Sequence, residues 1–86
     1  GEEFAIIIPG LSGPEACAML ERVRVAVQAL GLPHAKAAVT GVVTVSIGVA
    51  SCVPAPGQSS ASLVQRADAA MYRAKNHGRN QVVLAD

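Results

Sequence analysis

The sequence predicts an α/β (α+β) fold in which helices pack on a sheet. Three observations carry that expectation. Two long segments with helical apolar spacing alternate with short β-branched runs, giving the order β-α-β(β)-α-β. Half of the chain is apolar, yet Phe4 and Tyr72 are its only aromatic residues. The core must therefore be built from Val, Ile, Leu and Ala, a palette suited to helices lying on a sheet. Finally, no glycine-rich loop has Walker or Rossmann spacing, which separates the chain from the doubly wound nucleotide folds.

Phe4–Ile8 is a continuous apolar run stopped by Pro9 and Gly10. Its length, β-branching and stop signal predict a strand buried on both faces. Ser12 follows, with Glu15 three residues on and Pro14 between them, the pattern of a capping box that opens a helix. Ala16, Leu20, Val23, Val27 and Leu30 form the apolar stripe of that helix, and Glu21, Arg22, Arg24 and Gln28 fall off it, towards water. Gly31 and Pro33 end it.

Val39–Val53 is strand territory, with Val43, Val45, Ile47 and Val49 alternating with Thr44, Ser46, Gly48 and Ala50. The second set is small but not strongly polar, so cover on both faces is expected. Gly41 marks a turn or a bulge, and Gly48 marks a bulge or a close approach by backbone or ligand. Residues 54–60 read as a surface loop. A second helix is expected from about Ala61 to Asn76, with Leu63, Ala67, Ala70, Met71 and Ala74 as its stripe and Gly78 at its C-cap. Gln81–Leu84 reads as a final strand.

The near absence of aromatics argues against a base-stacking nucleic-acid platform. The formal net charge is +1, but its distribution is uneven. Glu2, Glu3, Glu15 and Glu21 lie early, and Arg66, Arg73, Lys75 and Arg79 lie late. Cys17 and Cys52 lack metal-ligand spacing and read as buried small hydrophobes rather than a disulfide. No apolar run approaches the ~20 residues of a membrane span, and no segment has the layout of a signal peptide.

Two short segments have the residue types that chemistry needs. Gly1-Glu2-Glu3-Phe4 sets paired carboxylates beside a glycine at the mouth of a strand. It is either a solvated acidic turn or a source of oxygen ligands for a hard divalent cation. Lys75-Asn-His-Gly-Arg79 sets two cations around a helix C-terminus. They complement the helix dipole or clamp phosphates, with Arg able to bind in bidentate fashion. His34 and His77 have no partner at metal-ligand spacing and read as surface or capping residues. Asp68, four residues before Tyr72 and seven before Lys75, reads as a helix-face contact. Ser46 and Ser51 have no neighbouring base in sequence for nucleophilic catalysis.

Three segments, taken in order, resemble the GGDEF family of diguanylate cyclase domains. GEEFAIIIPG at residues 1–10 resembles the GG(D/E)EF signature, without its first glycine, and the strand after it. VTVSIGVASC at residues 43–52 resembles the family's T-x-S-x-G-x-A strand, and RADAAMYRAKNHGRNQV at residues 66–82 resembles its C-terminal helix, turn and strand. The resemblance implies a ferredoxin-like fold similar to the nucleotidyl-cyclase palm, present here as a partial sheet. It implies condensation of two GTP into cyclic di-GMP with release of pyrophosphate, in a homodimer with one GTP per domain and two Mg²⁺ per active site. Residue by residue, Gly1 matches the second signature glycine, which lets GTP approach. Glu2 and Glu3 match the metal-binding and catalytic acids, and Lys75 and Arg79 match the pair that contacts the triphosphate. Arg22 falls near a secondary arginine at which some members bind inhibitory product.

The family's first metal-binding Asp, its guanine-recognising Asn and Asp, its first signature glycine and its RxxD inhibitory motif would all precede residue 1. The expectation is therefore that residues 1–86 are the C-terminal part of a single GGDEF domain, with part of the Mg²⁺ ligand set elsewhere, and that this part alone is inactive. The resemblance further implies a bacterial, cytoplasmic domain under an N-terminal sensory or regulatory domain, in a parent that other domains can anchor to a membrane. The alternative is a catalytically silent GGDEF module that acts as a receptor for GTP or cyclic di-GMP, or as a protein-interaction domain.

Overall fold

The computed structural model describes residues 8, 10–34, 41–57 and 59–85. Its elements are α1 (Gly13–Ala29), β1 (Ile47–Val49), α2 (Ser60–Asn76) and β2 (Val82–Leu84). This is the α/β architecture the sequence predicts. Of the expected strand Phe4–Ile8, only Ile8 lies within the described residues, and it packs against the core.

α1 begins where its capping box begins. The Ser12 hydroxyl accepts from the Glu15 backbone N–H at 3.2 Å, and the Glu15 carboxylate accepts from the Ser12 N–H at 3.0 Å. Two donors that the first helical turn leaves unpaired are thus satisfied reciprocally. The bond from the Ser12 backbone N–H, with that from its side chain, holds the Glu15 carboxyl below its ordinary value of 4.5. Ser12→Ala is expected to lower stability by about 1 kcal/mol at neutral pH in urea unfolding of the full-length protein. The share carried by the Glu15 carboxylate is complete above 4.5 and is lost as the pH falls through its lower, folded value. Glu15→Gln should therefore flatten the acid limb of the stability profile, and an unchanged limb would show that the box does not persist in solution.

β1 and β2 pair in parallel, with Ile47 opposite Val82, Gly48 opposite Val83 and Val49 opposite Leu84. α2 is the crossover between them, as parallel pairing requires. Successive strand residues face opposite sides, and both sides of β1 are covered. Ile47 and Val49, with Val82, pack against Ala16, Leu20, Cys17 and Met19 of α1. Gly48 faces α2. There the helix presents Ala70 and Ala74, both 0% exposed, so the helix axis lies close to the strand. The stripe read for this helix is the buried or half-buried face observed. The mid-strand glycine marks a close approach by helix backbone rather than a bulge.

Four expectations are corrected. The stripe of α1 is buried only in its first half: Ala16 and Leu20 are in the core, but Val23 is exposed and Leu30 is 67% exposed. A 17-residue helix spans about 25 Å. Among the described residues, each three-residue strand beneath it spans about 10 Å. Second, among the described residues regular pairing within Val39–Val53 covers Ile47–Val49, the stretch that lies opposite β2. Val42 instead forms an isolated antiparallel bridge with Pro33, flanked by bonds from His34 N–H to Gly41 and from Val43 N–H to Leu32. Val39 and Thr40 lie outside the described residues. Third, α2 starts at Ser60, because Ser59, read as part of the loop, is its N-cap and accepts from the Ser62 N–H at 3.1 Å. Fourth, Cys52 is exposed. Cys17 is half-buried against the core, where burial pushes its thiol above the ordinary value.

Candidate functional site

The described part of the candidate site is the C-terminal end of α2. Lys75 sits in the last turn, after Arg73, and Arg79 follows three residues beyond the helix. Lys75 lines an open cavity of about 390 Å³ with Asp68, Ala69, Met71 and Tyr72. Arg79 is exposed. Two cations at one helix end stand where the unpaired carbonyls concentrate negative potential.

The path of the chain from Lys75 to Arg79 is set by local chemistry. His77 closes α2, its N–H donating to the Arg73 carbonyl at 3.0 Å. Gly78 then takes φ +109, a region open to glycine and strained for other residues. Arg79 and Asn80 continue at φ +62 and +49. The Arg79 N–H turns back to the Ala74 carbonyl at 2.9 Å, and the Gln81 amide donates to the His77 and Arg79 carbonyls at 2.8 and 3.2 Å. The turn therefore fixes where the Arg79 side chain leaves the backbone.

Asn80 anchors the same turn to the rest of the molecule. Its carbonyl oxygen accepts from Arg24 Nη1 at 2.9 Å, its amide donates to Gln28 Oε1 at 3.2 Å, and its backbone N–H donates to Ser46 Oγ at 3.2 Å. Arg24 is in turn paired with Glu21 through Nε, with Oε2 at 3.1 Å. This corrects the reading of Arg24 and Gln28 as solvated: the Arg24 side chain is only 18% exposed, whereas that of Glu21 is 44% exposed, towards water as expected. Sequence reasoning missed this cluster. Its signal was the i, i+3, i+7 spacing of Glu21, Arg24 and Gln28 on one helix face, together with an asparagine, which tolerates a left-handed backbone better than most non-glycine residues, just after a helix stop.

The remaining site residues are not brought to this end by anything described. Arg22 is exposed on α1. Gly1, Glu2 and Glu3 lie outside the described residues. Among the described residues no three His, Cys, Asp or Glu side chains are grouped to hold a metal. No described helix is long and apolar enough to cross a membrane.

Comparison with known proteins places these features in context. The family model described as "Diguanylate cyclase, GGDEF domain" matches residues 1–81. Diguanylate cyclase A of Treponema denticola is 38% identical over 85 residues, covering 99% of this chain and 22% of that protein. Diguanylate cyclase DgcM of Escherichia coli K12 is 40% identical over 87 aligned positions, covering 99% of this chain and 19% of that protein. The response regulator PleD of Caulobacter vibrioides is 39% identical over 83 residues, covering 96% of this chain and 18% of that protein. The chain thus spans about a fifth of the length of the curated relatives it matches.

Proposed function

The chain belongs to the GGDEF diguanylate cyclase family, and from that membership we propose that it is part of a cyclase condensing two GTP into cyclic di-GMP and two pyrophosphates. The observation that carries the reading is the cation pair at the end of α2, with the Arg79 backbone bonded on both sides. Such a pair suits the one substrate feature that needs dense positive charge, the triphosphate. Arg79 takes the role of a bidentate phosphate contact and Lys75 that of a point charge. Gly1 matches the second signature glycine, whose lack of a side chain would let GTP approach.

Glu2 and Glu3 offer hard carboxylate oxygens, the donor chemistry that Mg²⁺ prefers. Bound there, the metal supplies charge neutralisation at the reacting phosphate. In the reaction, the 3′-oxygen of one GTP bonds to the α-phosphorus of the other. The bond from that phosphorus to the bridging oxygen of the β-phosphate breaks, and pyrophosphate leaves with its electron pair while the hydroxyl proton passes to solvent. The same exchange in the opposite sense closes the ring. Two copies are therefore needed, each presenting one GTP, and the activity belongs to a homodimer. An N-terminal sensory or regulatory domain is the partner proposed to control that pairing.

The test is to incubate the full-length protein with GTP and Mg²⁺ and separate the products by chromatography. Cyclic di-GMP and pyrophosphate in a 1:2 ratio are expected. Binding of GTP or cyclic di-GMP with no turnover would replace this reading with that of a silent receptor module.

A further inference from the structure

The turn after α2 holds two consecutive non-glycine residues, Arg79 and Asn80, in the left-handed region. Asparagine tolerates that region, but arginine does so less readily. The bonds within the turn bring it back only onto α2 itself. What ties it to the other helix is Asn80, whose side chain joins Arg24 and Gln28 of α1 across more than fifty residues of sequence.

We propose that Arg24 and Asn80, supported by Gln28 and Ser46, are positioning residues for Arg79, so that α1 sets the geometry of the phosphate contact at the end of α2. The proposal rests on the reading of Arg79 as a triphosphate contact. Arg24 is not itself such a contact. Its Nε is committed to the Glu21 carboxylate and its Nη1 to Gln28 and Asn80, and most of the side chain is shielded from water. Glu21 offsets the Arg24 charge, so the cluster presents hydrogen-bonding geometry to the turn rather than a second cation. The consequence is directional. Loosening Asn80 frees the backbone on the C-terminal side of Arg79, whereas Lys75, inside α2, keeps its place.

That asymmetry is testable in the full-length protein by binding a non-hydrolysable GTP analogue, measured by calorimetry, alongside kcat and KM. Arg24→Met and Asn80→Gly are each expected to weaken binding by about 3- to 10-fold, the scale of one ordinary hydrogen bond, because the effect reaches the phosphate contact only through Arg79. Asn80→Gly keeps the left-handed backbone accessible while removing the side-chain bonds and adding backbone freedom, so the Asn80→Asp comparison isolates the bond to Arg24. Asn80→Asp, which still accepts from Arg24, should recover most of the loss. In an Arg79→Ala background Arg24→Met should add less than about twofold, because its effect passes through the residue already removed. In a Lys75→Ala background it should act in full. A loss undiminished by Arg79→Ala, or no loss in folded Arg24→Met protein, would overturn the proposal. Should Arg24→Met not fold, Asn80→Gly, which leaves α1 untouched, carries the same cycle. If Arg79→Ala alone leaves analogue binding unchanged, the triphosphate reading of Arg79 fails, and the positioning role with it.

Discussion

Gly48→Ala in the full-length protein is expected to cost about 3 kcal/mol of folding stability, the upper end of what overpacking a core costs. A Cβ at residue 48 would press into the Ala67 carbonyl oxygen and the Met71 amide nitrogen, and would stand 2.8 Å from Met71 Cα. These are backbone atoms in the middle of α2, so no rotamer change relieves them. The helix would have to move off the strand, and the fully buried Ala70 and Ala74 would lose contacts with it. A domain stable by only about 5–15 kcal/mol feels such a loss as a large drop in its unfolding midpoint.

Gly13→Ala supplies the comparison. There an added Cβ would meet Leu84 Cδ1 at 2.9 Å and Ser51 Oγ at 3.1 Å, both side-chain atoms free to turn aside. Urea unfolding should show a clearly lower midpoint for Gly48→Ala than for Gly13→Ala, with the m-value unchanged. Equal midpoints would mean that α2 does not sit against β1 as described.

The same glycine shows how far the sequence could be read. A glycine in the middle of an alternating apolar run signals that something comes close, but not what comes. The answer lies in α2, whose Ala67, Ala70 and Ala74 are small for the same reason that residue 48 has no side chain. The start of α1 was legible because a capping box is local chemistry: Ser12 and Glu15 satisfy one another within a single turn. The start of α2, where Ser59 caps without such a partner, reads as loop. The end of burial along α1 was not legible. The stripe through Val23 and Leu30 has correct helical spacing, but the length of the sheet beneath it is a property of other segments. The site divides in the same way. Lys75 and Arg79 stood out as cations at a helix end. Arg24 looked like one more solvated charge, because its partner Asn80 is more than fifty residues away and nothing local to α1 points to it. The resemblance to the GGDEF family rested on three short segments in order, and the family match over residues 1–81 bears it out.

The largest expected effects on activity come from the acids. Glu2→Ala and Glu3→Ala in the full-length protein should each lower kcat by about 10²- to 10³-fold, the rate equivalent of losing several kcal/mol of charge stabilisation at a metal. A carboxylate on Mg²⁺ acts in both ground and transition states. Its loss should therefore also raise the Mg²⁺ concentration needed for half-maximal rate, and added Mg²⁺ should recover only part of kcat. Lys75→Ala should behave differently. In its proposed role, the ammonium of the half-buried Lys75 would act on phosphate as a point charge partly screened by solvent, so its removal should cost about tenfold or less, mainly in KM for GTP. Raising the salt from 50 to 300 mM should narrow the gap between wild type and Lys75→Ala, because the Debye length shrinks over that range. The gap between wild type and Glu3→Ala should persist in the proposed metal-binding role of Glu3, because bulk screening does not replace a carboxylate that ligates the metal. Steady-state rates over a grid of Mg²⁺ and salt concentrations decide the matter. Near-normal kcat in both acid variants, with Lys75→Ala inactive at every salt concentration, would reverse the roles assigned to the two ends of the chain.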